Sequence, residues 1–230
     1  MHFCHLPEIW REFPTLVPGV LVVERLRPHV DQGPDLAFWL GRARERLRDS
    51  SETQMEEIMA WRQAYSKMGL KPSQYRSAAE ALLRRFRKED SLPSLHPAVD
   101  VCNAISVAFA LPVAILDIAK IDSFVEVCRA KGDEVYLSFS GETEHPYPGE
   151  VIFRDASNHA HARRWTFRQS KLSTVGPETE QALVVSEALH QKAPVDIPIL
   201  LEALSRELTT LGATVHSATV LTAKEPRLAF

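Results

Sequence analysis

Cysteine, glycine and long apolar runs are all scarce in this sequence, and each scarcity excludes something. The three cysteines, Cys4, Cys102 and Cys128, form no close pair. An odd, sparse count argues for a reducing compartment and against a disulfide framework. The nine glycines build no Gly-rich phosphate loop, and neither Gly-x-Ser-x-Gly nor His-Glu-x-x-His occurs. The motif-borne chemistries of nucleotide hydrolysis, serine hydrolysis and zinc proteolysis therefore lack their residues. No apolar stretch approaches the ~20 residues of a membrane span. The start, Met1-His2-Phe3-Cys4-His5 with Glu8 close behind, lacks the basic-then-apolar order of a signal peptide. Positive charge is not in excess either. The net charge of −3 excludes a strongly basic nucleic-acid coat, though not a local basic patch. The expectation is a cytoplasmic protein with no membrane partner, no DNA partner and no cofactor.

What is present fits an ordinary globular chain. Apolar residues make up 45% and charged residues 25% of 230 positions, enough to bury a core in one domain. Residues 17–26 read as a strand, 28–34 as a loop and 35–49 as a helix, with Leu36, Leu40, Ala43 and Leu47 on one stripe. Ser51 with Gln54 forms a capping-box pattern before a helix running to Met68 and stopping at Gly69. Ser77 with Glu80 forms a second such box, opening a helix in which Ala81, Leu82, Leu83 and Phe86 can face the core and which ends in a basic run. A proline-punctuated linker at 91–97 leads to a buried helix at 98–109. Short strands are then expected at 113–116, 124–128, 135–139, 151–154, 164–167 and 182–185. A helix at 196–211, a strand at 214–221 and a frayed tail from Lys224 complete the chain. Helices early and strands late make an α+β class, with mixed or antiparallel sheets and helices packed on them.

Polar residues inside apolar runs are the candidates for chemistry, because a buried polar group must find a partner. Asp100 and Asn103 lie three apart and so share a helix face. They either cap a neighbouring element or line a ligand site. Glu187 ends an apolar strand, placed either to line a pocket or to face solvent. In 163–169 basic and aromatic residues alternate. On a strand, Arg164, Thr166 and Arg168 would share one face, able to grip phosphate, with Trp165 and Phe167 on the other. Arg76, Arg84, Arg85, Arg87 and Lys88 make a second basic segment, which is either an anion-attracting surface or a solvated face. The His159-x-His161 pair finds no third ligand in Asn158, Ala160 or Ala162, so no metal is expected there. Cys102 and Cys128 read as small apolar packing groups.

An ordered set of motifs carries a resemblance. It begins with Val99-Asp100-Val101-Cys102-Asn103, then Leu111-Pro112 and Leu116-Asp117, then Val125-Glu126-Val127-Cys128-Arg129-Ala130. Gly132-Asp133-Glu134, Val151-Ile152-Phe153-Arg154-Asp155, and Glu178-Thr179 followed by the strand ending at Glu187 continue the order. This set resembles the B3/B4 editing domain of the bacterial phenylalanyl-tRNA synthetase β subunit. Upstream Lys71-Pro72-Ser73-Gln74-Tyr75-Arg76-Ser77, the Pro148-Gly149-Glu150 turn and the Arg164-Trp165-x-x-Arg168-Gln169 segment are similar to free-standing members of that family. With them the likeness covers about 61–189.

The resemblance implies one B3/B4-like domain over 1–230: a strand-and-helix part at 1–90, a core at 91–189, a closing helix and strand at 190–222 and a tail at 223–230. It implies a site between two halves of the fold. In the synthetase that site hydrolyses tyrosine wrongly attached to phenylalanine tRNA. Glu187 matches the glutamate that reads the tyrosine hydroxyl. Arg168-Gln169 stands where the family has a glycine-rich turn, and Ala114 where the synthetase has a histidine. The pocket is therefore expected, and the amino acid is left open. The leading expectation is a free-standing aminoacyl-tRNA deacylase acting in trans on tRNA, with no synthetase activity. Glu187 and Asn103 would be catalytic. Arg76, Arg84, Arg85, Arg164, Arg168 and Gln169 would bind the substrate RNA. A non-catalytic RNA-binding module and an amino-acid-like small-molecule binder are the alternatives.

Overall fold

The structure is a computed structural model that describes residues 1–26 and 34–230. The loop expected at 28–34 lies outside the described residues except for Pro34. In chain order, β1 (His2–His5) and α1 (Pro7–Glu12) precede β2 (Val17–Glu24). Then come α2 (Ala37–Asp49), α3 (Glu56–Lys67), α4 (Ala78–Glu89) and α5 (Pro97–Phe109). The strand-rich part holds β3 (Val113–Asp117), β4 (Phe124–Arg129), β5 (Tyr136–Leu137), β6 (Thr143–Glu144), β7 (Val151–Arg154), β8 (Ala160–Arg163) and β9 (Arg168–Gln169). Last are β10 (Gln181–Ala188), α6 (Ala193–Thr210), β11 (Thr214–Val220) and β12 (Arg227–Ala229).

Side-chain alternation along the strands decides the layering. An antiparallel sheet runs β11-β2-β10-β3, and its central strands are apolar on both faces. Leu21, Val23, Ala182 and Val184 point to one side and pack on α5 and α6. Val20, Val22, Leu183 and Val185 point to the other side and meet Phe3, Val125, Val127 and Phe153 of a second sheet. This period of two is what a strand buried on both faces requires. The second sheet runs β12-β1-β4-β7-β8-β9, with β1 parallel to β4 and the remaining pairs antiparallel. The layers are thus helices, an antiparallel sheet and a mixed sheet, and the α+β expectation holds. Gly19 permits the close helix layer, since a Cβ there would lie 2.7 Å from Ile197 on α6.

Several expectations need correction. Residues 164–167 form a turn between β8 and β9, because Arg164 (φ 47°) and Trp165 (φ 60°) are both left-handed. The common face expected for Arg164, Thr166 and Arg168 therefore does not form. Composition suggested a strand, but burying the Trp165 indole between the sheets needs the reversal. Of 135–139 only Tyr136–Leu137 is strand, paired with β6. The tail is not frayed: β12 pairs with β1, His2 opposite Ala229 and Cys4 opposite Arg227. The sequence reading did not anticipate β1 and α1, which are too short for periodicity to mark.

The two capping boxes also resolve differently. The Ser51–Gln54 box is present but closes a 3-10 turn at Glu52–Gln54, before α3 begins. At α4, Ser77 accepts from Glu80 N at 3.2 Å, while the Glu80 carboxylate turns instead to Arg62 at 2.7 Å. The last helix begins at Ala193, three residues earlier than Asp196, with Pro194 in its first turn, where a missing N–H costs nothing.

Candidate functional site

Glu187 shares the parity of Leu183 and Val185 on β10, so its side chain enters the layer between the sheets. His5 shares the parity of Phe3 on β1 and enters the same layer from the other sheet. The two meet, with His5 Nε2 2.5 Å from Glu187 Oε1. Trp165 Nε1 donates to the same oxygen at 2.8 Å, and Trp61 Nε1 donates to the Glu187 carbonyl at 3.2 Å. The carboxylate is only 2% exposed, which excludes the solvent-facing reading. Among the described residues Oε2 accepts no hydrogen bond. A buried carboxylate pinned through one oxygen presents the other in a fixed direction.

Glu187 lines a cavity of about 60 Å³, together with residues of both sheets and Ala78 at the start of α4. Its wall is mostly apolar, with Val113 and Ala114 of β3, Phe153 of β7 and Val185 of β10. Thr166, Arg168 and Gln169 supply the polar edge. A wider depression of about 460 Å³ adjoins it and shares Phe167, Arg168 and Gln169. Tyr136, Phe139 and Glu144 form the far wall of that depression. The arrangement is a mostly apolar cavity with one fixed carboxylate in its wall, beside a broader polar and aromatic depression.

The 164–167 turn that carries Trp165 is held on several sides. Trp165 N donates to Val151 O at 2.7 Å, and its ring meets Trp61 edge-on with centroids 5.0 Å apart. Glu150 accepts from Arg164 N at 3.0 Å and from Arg163 Nε at 2.9 Å. The buried Arg163 is also paired with Glu144. The Arg164 guanidinium lies over Tyr75 at 4.7 Å and over Phe167 at 5.7 Å. Ala78 N donates to Thr166 O at 2.8 Å, which joins α4 to the turn. Tyr65 reaches Thr166 Oγ1 at 3.2 Å, and full burial pushes its phenol well above the usual range, so it stays neutral. Two consecutive left-handed non-glycine residues are costly, and these contacts over-determine them.

The structure gathers Glu187, Arg168 and Gln169 at one cavity. Arg168 is half exposed at the rim, 3.7 Å from Glu144 and over the Phe167 ring at 5.6 Å. Gln169 donates to Ile115 O at 2.8 Å and so ties the rim to β3. Arg164 lies behind the rim in its aromatic stack. Asn103 is half-buried on α5 and does not line the cavity. Its neighbour Asp100 takes the capping role, accepting from Ser94 Oγ and Leu95 N, each at 2.8 Å. Arg76, Arg84 and Arg85 lie along and before α4 in ion pairs with Glu80, Glu52 and Glu89. His5 and Trp61 were not found by sequence reasoning. Nothing local marks His5, whose partner is 182 positions away.

The remaining reactive groups are quiet. Burial pushes the Cys102 and Cys128 thiols up to about 12, which fits packing groups. His159 and His161 both turn to Asp155, at 3.4 and 3.1 Å, so a carboxylate joins the pair as hydrogen-bond acceptor. Among the described residues no helix is long and apolar enough to cross a membrane.

Residues 60–196 match the B3/4 domain family, which is more than half of the chain. The chain belongs to that family. This B3/4 protein takes Glu187, Trp165, Arg168 and Gln169 from the matched span, whereas His5 comes from outside it. No curated protein sequence matches the chain. A similar solved structure is an N-terminal fragment of the phenylalanyl-tRNA synthetase β subunit from Pyrococcus horikoshii. It has 9% identity and a TM-score of 0.49, over 95% of this chain and 53% of that one. The B3/4 protein thus spans about half the length of that fragment.

Proposed function

We propose that this B3/4 protein is an aminoacyl-tRNA deacylase that hydrolyses mischarged tRNA in trans, working in the cytoplasm as a single domain. The carrying observation is the buried Glu187 carboxylate, fixed through Oε1 by His5 and Trp165, in the wall of a cavity that Arg168 also lines. The substrate class comes from the resemblance of the motifs to a synthetase editing domain. In ester hydrolysis a water adds to the aminoacyl carbonyl, and the ribose oxygen leaves with a proton. Glu187 Oε2 would orient that water or hold the aminoacyl ammonium, so the contribution is mainly positioning and electrostatics. Arg168, half exposed at the rim, would meet a phosphate near the 3′ end.

A panel of mischarged tRNAs tests this reading, with Glu187→Gln alongside. Selective release of one amino acid, reduced by about 100-fold or more in the variant, is expected. No release from any member, with tRNA still bound, would replace the deacylase by an RNA-binding module. Its affinity should then fall steeply with salt. Neither release nor tRNA binding, with stabilisation by a free amino acid, would favour the small-molecule reading.

A further inference from the structure

We propose that His2, Cys4 and Glu126 form a binding site for a zinc-class divalent cation on the outer face of the mixed sheet. On β1, Phe3 and His5 point inward to the core, so His2 and Cys4 point outward together. The parallel pairing of β1 with β4 sets Glu126 beside Cys4. One ligand atom from each of the three lies within 4.8 Å of the other two. The sequence reading took this segment only as a chain start, because Glu126 is remote and β1 was not anticipated.

The three groups differ in what already holds them. Among the described residues His2 Nε2 is buried with no hydrogen-bond partner, a state that costs free energy unless something fills it. Cys4 is not in a disulfide and is 5% exposed, with the Arg227 side chain as its hydrogen-bond partner. Glu126 gives Oε2 to Arg154 at 3.0 Å, which leaves Oε1 for a ligand. Imidazole nitrogen, thiolate sulfur and carboxylate oxygen are the donor set of zinc, whereas calcium and magnesium take oxygen. One thiolate and one carboxylate cancel a 2+ charge. Arg154 and Arg227, the cationic groups beside the cluster, would then face a neutral centre. Three protein ligands leave a fourth tetrahedral position for water.

The consequence is structural. Binding would clamp the four-residue β1 to β4 and so hold His5, on the inner face of the same strand, against Glu187. The site does not depend on the deacylase reading.

Metal-free full chain titrated with cobalt(II) decides the matter. A thiolate-to-cobalt charge-transfer band saturating at one equivalent, displaced by zinc(II), is expected, together with a melting temperature that rises with zinc concentration. Cys4→Ser should abolish the band, and Cys128→Ser should keep it. Glu126→Gln should weaken binding by more than the roughly 100-fold that losing a supporting group costs. His2→Ala alters a partly exposed residue and gives the same reading should Cys4→Ser fail to fold. No band, a band indifferent to Cys4 and His2, or uptake without a one-to-one end point would overturn the proposal.

Discussion

Glu187 and Glu52 are both buried carboxylates, at 2% and 1% exposure, and they are held in opposite ways. Glu52 sits below α4 and takes two arginines, Arg87 at 2.8 Å and Arg84 at 3.4 Å. Glu80 on the same helix takes Arg62 and Arg76. Among the described residues Glu187 has no arginine or lysine partner; a histidine and an indole hold one of its oxygens, and the other accepts no hydrogen bond. The difference separates a carboxylate neutralised by cations from one held by neutral-capable donors through a single oxygen. It also changes how the basic run on α4 is read. Arg76 and Arg84 already serve buried acids, whereas among the described residues Arg85 pairs with the exposed Glu89 alone.

The largest effect that would break this contrast is expected from Glu187→Ala. Removing the carboxylate strands the Trp165 and His5 donors in the core, and should cost about 3 kcal/mol in urea unfolding as well as abolish deacylation. Full activity in this variant would show that the free oxygen is not the working group. Trp165→Phe is next. It deletes one donor to Oε1 and some volume, for about 1–3 kcal/mol by thermal or urea unfolding. Its activity loss should exceed its effect on tRNA binding, since the carboxylate is still present but less well aimed.

A pH measurement sharpens the comparison with a third buried carboxylate. Burial opposes ionisation of Asp155, but hydrogen bonds from His161 and from the backbone of His159 and Asp122 outweigh it and hold the carboxyl at about 2. A depressed folded pKa stabilises above the unfolded value and loses that contribution as pH falls through the folded one. Stability should therefore decline between about pH 4 and pH 2. Asp155→Asn should flatten the slope there, seen in urea midpoints across that range. The smallest effect belongs to Arg85→Ala. An exposed pair contributes at most about 0.5 kcal/mol to stability. If α4 contacts RNA, the variant should still reduce the salt slope of tRNA binding by about one. An unchanged slope would confine the RNA path to the Arg168 side.

Much of the architecture was readable along the chain because its signals are local. Apolar spacing marked α2, capping boxes α3 and α4, a long apolar run α5, and dense β-branched runs β2 and β10. What escaped had no local signal. β1 and β12 are short and pair with each other from opposite ends of the chain. The Arg164–Phe167 turn has strand composition and a backbone that only its surroundings can hold. At the site, Glu187 was legible as a polar residue at a strand end, Arg168 through the basic–aromatic alternation and Gln169 through the family resemblance. His5 was not, because alternation along β1 cannot be read before β1 itself is known.

Fold class, helix positions, the apolar faces and the family likeness are determined by the sequence alone, since each depends on residues a few positions apart. Tertiary structure decided which polar groups meet: Glu187 with His5 and Trp165, Arg84 with Glu52, Cys4 with His2 and Glu126. These meetings depend on strand register across long separations. Register is set by how two sheets bury their alternate faces, a condition of the whole packed layer that no single segment states.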